Sequence, residues 1–273
     1  MKGLKQQIEA YCEARRISQN VFATKAGVNA AFVSNILNGK PVSREVQTKI
    51  AAFLGGKEVC GLIETGDFRM IQAMCAQTAR CHFMVGLIGD TGTGKTTALK
   101  AYARRENVFM VSASKTLTAK QLVFDIAAEM GLARTGTVAD AMRKICKRLN
   151  SIANPLLIVD EAGKLNARQL MYLQELRDAT EHNAALLLSG MPYFREKLNE
   201  GAQKHREGYA EFYRRVQLWG GTNGLSRDEI RLVIEAEGME PVPELFTYRL
   251  FGTLKNNILM MKINQENQSN DEN

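Results

Sequence analysis

Gly89-Asp90-Thr91-Gly92-Thr93-Gly94-Lys95-Thr96 has the residue types and spacing to hold a row of phosphates, fitting G-x-x-x-x-G-K-[ST]. Glycines let backbone N–H groups curl around phosphate oxygens. A helix starting at the end of the loop adds the positive end of its dipole. In such a loop Lys95 reaches the β- and γ-phosphates of a nucleotide, and the Thr96 hydroxyl ligates Mg²⁺. The expected nucleotide contacts are therefore Gly89 to Thr96 together with Thr97 on the first helical turn, and the expected ligand is ATP with Mg²⁺.

A second constellation lies downstream. In Pro155-Leu156-Leu157-Ile158-Val159-Asp160-Glu161 an apolar run ends in two carboxylates, the Walker B pattern. A strand buried in a parallel sheet would deliver both acids at its carboxyl end, where ligands bind in open α/β sheets. Asp160 is expected to hold Mg²⁺ through its water shell. Glu161, acceptor-only when ionised, suits polarising the attacking water. A dedicated water-activating acid points to hydrolysis to ADP and phosphate, with Mg²⁺, over transfer to a small molecule. Ser189 ends a further apolar run, Ala184 to Gly190, and could touch the γ-phosphate or the water. Arg214-Arg215 precede another short run, strand-like from Val216. An arginine held there can project to a neighbouring subunit's γ-phosphate and stabilise transition-state charge, with Arg215 favoured over Arg214.

These groups need a scaffold. Phe83 to Ile88 reads as the strand entering the loop and Lys95 to Ala103 as the helix leaving it. Asn107 to Ala113 is a second strand. Thr118, Thr137 and Asn166 cap helices running to Met130, Ile152 and Glu181. Thr65 to Ala79 is a helix ahead of the core; Glu64, Thr65 and Phe68 are either adenine contacts or part of its packing. Alternating strands and helices predict an α/β fold, a parallel sheet flanked by helices. Residues 199–210 read as a loop or exposed helix, with His205 a surface residue. Ser226 with Glu229 forms a capping box, and Pro243 is expected to start a final helix through Leu259.

Residues 4–54 read as a small helical unit. Ser18 and Asn29 are N-caps, and Gly27 closes the turn between two short helices. Helix, glycine turn, helix is a helix-turn-helix pattern. It resembles the lambda-repressor/Cro-type DNA-binding domain through Ser18-Gln19, Ala23, Gly27-Val28, Val33-Ser34 and Ile36-Leu37-Asn38-Gly39. That resemblance places Asn29, Ala30, Ala31, Ser34 and Asn35 near bases and Lys25 and Lys40 near phosphates. A bundle used for protein contacts is the alternative.

The net charge is +7 and the pI near 9.2, which suggests a polyanionic partner. No run of about 18 apolar residues is present and the N-terminus has no apolar signal core, so a cytoplasmic protein without a membrane partner is expected. Cys12, Cys60, Cys75, Cys81 and Cys146 form no C-x-x-C pair, and free thiols fit a reducing compartment.

Taken together, these motifs resemble the AAA+ ATPases, and within them the MuB-like transposon target-selection family. Glu64-Thr65, Gly89–Thr96, Leu156–Glu161, the strand ending at Gly190, Phe212–Val216 and Gly252-Thr253-Leu254-Lys255 carry the resemblance. It implies the domain order 1–55 helix-turn-helix, 56–66 linker, 67–224 P-loop core, 225–264 helical lid and 265–273 disordered tail. It further implies self-association into an ATP-dependent homo-oligomer or helical filament on double-stranded DNA, and recruitment of a transposase. Lys255, which the resemblance places at the nucleotide, stands where the family's sensor 2 has arginine, a point charge in place of a fork, and Met191 where sensor 1 has asparagine; both departures would slow hydrolysis. Lys115 with Lys120, and Lys164 with Arg168, are the basic loop residues expected near DNA. An ATP-regulated helix-turn-helix repressor and a replication initiator or helicase loader share these core motifs and remain alternatives.

Overall fold

The computed structural model describes residues 2–15, 17–55 and 63–271. In chain order the elements are α1 (Lys2–Arg15), α2 (Gln19–Lys25), α3 (Ala30–Leu37), α4 (Arg44–Gly55), α5 (Gly66–Cys81), β1 (Met84–Ile88), α6 (Lys95–Tyr102), β2 (Val108–Ser112), α7 (Ala119–Glu129) and α8 (Val138–Asn150). There follow β3 (Leu156–Asp160), a 3-10 turn (Ala162–Lys164), α9 (Ala167–Thr180), β4 (Ala185–Gly190), α10 (Pro192–Gln203), α11 (Tyr209–Arg215), β5 (Leu218–Gly221), α12 (Arg227–Ala236), a second 3-10 turn (Pro243–Thr247) and α13 (Phe251–Asp271).

The five strands form one parallel sheet in the order β2-β3-β4-β1-β5. Every residue of β3 and β4 is buried, as expected for strands covered by helices on both faces. One face packs on α7 to α11 around Phe109, Ile126, Leu173 and Phe194; the other packs on α5 and α6 around Ile71, Leu87 and Leu99. This is the α/β P-loop fold predicted from the run of motifs. The chain runs from β1 to the far edge at β2 and steps back through β3 to β4 beside β1. The carboxyl ends of β1, β3 and β4 therefore stand side by side, each carrying one of the predicted chemical groups.

Thr118, Thr137, Asn166 and Ser226 each close a reciprocal capping box, so these helix starts are set locally. Between β4 and β5, the 199–210 stretch read as a loop or exposed helix holds parts of both: 199–203 end α10, which opens on Pro192, 204–208 form a turn, and 209–210 begin a second helix, α11. Gly201 is the reason they pack: a Cβ there would lie 2.2 Å from the Tyr209 ring. The final helix differs from expectation. Pro243 starts only a 3-10 turn, and α13 begins at Phe251 and runs through the region expected to be disordered, to Asp271. Of the expected linker, 56–62 lie outside the described residues, and Gly66 already belongs to α5.

The N-terminal unit has its own small core. Ile8, Phe22, Val33 and Ile50 are fully buried, each contributing about 1.5–3 kcal/mol. Tyr11, Phe22 and Phe53 meet edge to face, with centroids 5.2–5.4 Å apart. Gly27 joins α2 to α3 at φ +65, in the left-handed region that glycine enters without cost. A separate cluster of Leu225, Ile230, Leu245, Leu254 and Ile258 holds α12 to α13. No described helix is long and apolar enough to cross a membrane.

Candidate nucleotide site

The loop between β1 and α6 is shaped by Gly92 and Gly94, both at φ +85. Gly94 caps α6 with no side-chain bond to the helix start, so the first amides of α6 point outward as anion donors. The Lys95 ammonium donates to the Gly89 and Asp90 carbonyls, each at 2.7 Å, so it lies folded over the loop it belongs to. Burial lowers its pKa, and the carboxylates of Asp160, Glu161, Asp90 and Asp67 work against that shift. Thr93 is buried and its hydroxyl donates to the Asp90 carbonyl at 2.9 Å. Thr91 reaches Met191 Sδ at 3.4 Å, so the residue in the sensor 1 place touches the loop from the end of β4.

The Thr96 hydroxyl donates to Asp160 Oδ2 at 2.7 Å, and Asp160 Oδ1 accepts the Glu161 N–H at 2.9 Å. Asp160 is almost fully buried. Two hard oxygens from β3 and α6 thus meet beside the loop, the donor set Mg²⁺ prefers when phosphate and water complete its shell. Among the described residues no group of three His, Cys, Asp or Glu gathers as an all-protein metal cage. Thr96 and Asp160 are the residues that fit the ion; bound there, it would supply charge neutralisation between phosphate oxygens.

Glu161 follows at φ 57 and ψ 32, a left-handed conformation costing about 1–2 kcal/mol for a non-glycine residue. Such strain persists where the surroundings enforce it and gathers at functional sites. Lys164 stands 3.3 Å from Glu161 Oε2, so a residue expected at DNA is drawn in as a counter-charge. Ser189 is fully buried on β4 and its hydroxyl has no hydrogen-bond partner among the described residues. A buried orphan hydroxyl costs about 1–3 kcal/mol, and its place one residue from the carboxyl end of β4 suits a ligand group at the sheet edge.

Sequence reasoning missed two contacts to this loop. Gly252, at the start of α13, donates its N–H to the Gly92 carbonyl at 2.9 Å. The start of α13 therefore meets the loop backbone to backbone, and Gly252 permits it: a Cβ there would lie 3.2 Å from Gly92 Cα. Lys255, the residue expected to contact nucleotide, turns elsewhere and pairs with Glu237 at 2.7 Å. That hydrogen bond holds the Glu237 carboxyl below its usual range. The second is Thr222, whose buried hydroxyl also has no hydrogen-bond partner among the described residues and occupies the space a Cβ on Gly89 would need, 2.0 Å away. Only the Gly89 of the motif marks it in sequence.

The chain from Asn223 to Glu229 is tied to α5 near this point. Buried Asp67 on α5 accepts the N–H groups of Asn223 and Gly224, both at 2.9 Å. Glu229 on α12 accepts from Ser226 N and Gly66 N. Burial pushes the Glu229 carboxyl up, but these backbone donors outweigh it and the pKa falls.

Residues 80–198 match the AAA domain family model. The matched stretch runs from the end of α5 into α10 and takes in the loop, Asp160, Glu161 and Ser189. No curated protein sequence matches the chain. Two solved structures are similar over 71% of it: the Aeropyrum pernix Orc1 protein in complex with DNA, at 17% identity and a TM-score of 0.49, and a DNA replication initiation factor, at 12% and 0.45. The matches cover 56% and 59% of those chains, so this chain spans well under two thirds of either.

The remaining expected residues are placed as follows. Arg215 ends α11 in a bidentate pair with Asp178 of α9, at 2.5 and 2.6 Å, and the pairing raises its pKa; Arg214 is exposed. Gln169 Nε2 donates to the Leu117 carbonyl at 2.7 Å, which joins the loop after β2 to the start of α9. Lys115 and Lys120 lie within three residues of that bond on one side, and Arg168 adjoins it on the other; all three are exposed. In the N-terminal unit Asn29 spends its side-chain oxygen capping Ala31 N at 2.9 Å, and Ser34 accepts from Asn38 at 3.3 Å. Ala30 and Asn35 are half-buried on α3. Lys25, expected near phosphate, is paired with Glu129 of α7.

Proposed function

We propose that this chain is a Mg²⁺-dependent ATPase that binds double-stranded DNA in its ATP state, self-assembles there as a homo-oligomer or helical filament, and recruits a transposase. The observation that carries the hydrolytic part is the 2.7 Å bond from Thr96 to Asp160, with Lys95 over the loop and Glu161 next in the chain. In this reading Lys95 leaves the Gly89 and Asp90 carbonyls for the β- and γ-phosphates of ATP. The amides at the start of α6 hold the same phosphates, and Thr96 and Asp160 hold Mg²⁺. Glu161 orients water in line with the γ-phosphate, and Ser189 gives its unpartnered hydroxyl to that water or to a γ-oxygen.

Assembly and DNA binding rest on other residues. The +7 charge favours a polyanion. Lys115, in the loop after β2, and Lys120 and Arg168, in the first turns of α7 and α9, follow β2 and β3 on the side where ligands bind in such sheets. The α2–α3 unit supplies a second DNA contact through Ala30, Ser34 and Asn35. For Arg215 to serve a neighbouring subunit's γ-phosphate, assembly must break its pair with Asp178; the exposed Arg214 needs no such exchange. The transposase rests on the resemblance in motif order to target-selection ATPases.

The deciding experiment incubates the protein with duplexes of unrelated sequence and ATP, ADP or no nucleotide, and reads mobility shift and electron micrographs. We expect retention and filaments with ATP and Mg²⁺, and release with ADP. Nucleotide-independent protection of one short palindrome would overturn the reading in favour of a repressor. A second expectation concerns Ser189→Ala. Removing a buried orphan hydroxyl leaves stability unchanged or raises it by about 1 kcal/mol, while phosphate release slows about tenfold or more. Unaltered phosphate release would remove Ser189 from the site.

A further inference from the structure

Lys197 lies on the second turn of α10, half-buried, and forms no ion pair among the described residues. Its ammonium donates to the carbonyls of Gly163 and Leu165, at 3.1 and 2.6 Å. Those carbonyls belong to the turn that directly follows Glu161. Within that turn Lys164 N–H bonds to the Glu161 carbonyl at 3.0 Å and Leu165 N–H to the Ala162 carbonyl at 3.1 Å. The Gly163 and Leu165 carbonyls are met by the lysine. The Tyr193 side chain, also on α10, packs on Gly163 so closely that a Cβ there would lie 2.7 Å from its hydroxyl.

Three facts point the same way. Glu161 sits in a left-handed conformation that its own chain disfavours, so something outside must enforce it. Even half-burying a lysine without a carboxylate is costly, and that burial lowers its pKa. And α10 begins two residues after Gly190, so the lysine spans from the strand that carries Ser189 to the turn that carries Glu161.

We propose that Lys197 is a positioning residue, clamping the 162–165 turn so that the Glu161 carboxylate is held toward the γ-phosphate and its water. The inference rests on the hydrolytic reading above and adds to it the residue that fixes the geometry. A clamp of this kind acts on the chemical step and leaves nucleotide affinity alone, since both carbonyls belong to the turn after β3 and not to the phosphate loop.

The test compares wild type, Lys197→Met and Lys197→Arg by steady-state ATP turnover and by amide exchange. In the methionine variant kcat falls about tenfold to a hundredfold, the cost of a misplaced catalytic group, with KM within about twofold. Exchange at the Lys164 and Leu165 amides quickens about tenfold while β1 and β3 stay protected. The arginine variant, which still carries donors for both carbonyls, stays closer to wild type in kcat. If the methionine variant does not fold, Lys197→Gln is read the same way. Unchanged exchange at Lys164 and Leu165, or unchanged kcat beside an active wild type, overturns the inference. Wild type that turns over no ATP overturns the hydrolytic reading instead, and the exchange data, which need no turnover, still decide whether the clamp exists.

Discussion

Replacing Glu161 by glutamine is expected to cut ATP turnover by about 10²- to 10⁴-fold while nucleotide binding is retained. The amide has nearly the shape of the carboxylate, so the turn after β3 is undisturbed, but it lacks the charge that draws a proton from water. The ion pair with Lys164 is lost too. Both partners are more than a third exposed, so that loss costs at most about 1 kcal/mol. Thr96, Asp160 and Lys95 keep their bonds, and the phosphates keep their holders. In the proposed function the variant stays in the ATP state, so its complexes with DNA outlive those of wild type. Phosphate release and the lifetime of filaments after ATP is withdrawn measure the two effects. Turnover equal to wild type would take Glu161 out of the water-activating role.

The second large effect is on stability. Gly86 lies in the middle of β1, beside Leu188 of β4 and Trp219 of β5. A Cβ on it would stand 2.2 Å from the indole. The indole has little room to retreat: Phe194 meets it at 6.0 Å, Tyr213 at 6.2 Å, and the Arg195 guanidinium lies 5.6 Å above it. Gly86→Ala must therefore push β5 from the sheet or force the indole off its rotamer. Overpacking of this kind costs about 1–3 kcal/mol or more, a fall in melting temperature of about 2–12 °C for a chain of this size. Because the chain has one tryptophan, its fluorescence reports the displacement directly. Since Gly86 stands three residues before Gly89, ATP affinity should weaken as well. A melting curve and emission spectrum that match wild type would show that the indole has another place to go.

These two expectations differ in where their grounds lie. Glu161 announces itself: an apolar run that must be a buried strand ends in two acids, and a loop with glycines and Lys95-Thr96 stands upstream. Each feature is local, because strand burial, turn geometry and helix start are set by residues within a few positions of one another. For the same reason Thr118, Thr137, Asn166 and Ser226 give away the helices they cap, and the α/β class follows from the alternation of elements. Gly86 gives no such sign. A glycine in a strand is legible only as a weak spot until the facing Trp219, far along the chain, is known.

The same distinction separates the residues placed as expected from the rest. Arg215, Lys255, Lys164 and Lys25 carry charge on elements the sequence suggests, but long cationic side chains take whatever partner the fold brings within reach. Tertiary structure brought Asp178, Glu237, Glu161 and Glu129. The helices α10 and α11 were hidden because their pairing depends on Gly201 receiving Tyr209, a contact across a turn. The sequence alone determined the phosphate loop, the two acids and the parallel α/β class, since these rest on local backbone geometry and strand burial. Only the tertiary structure decided which cations remain exposed, that Gly252 brings α13 onto Gly92, and that Lys197 holds the turn after Glu161. Those depend on which distant segments the strand order sets side by side.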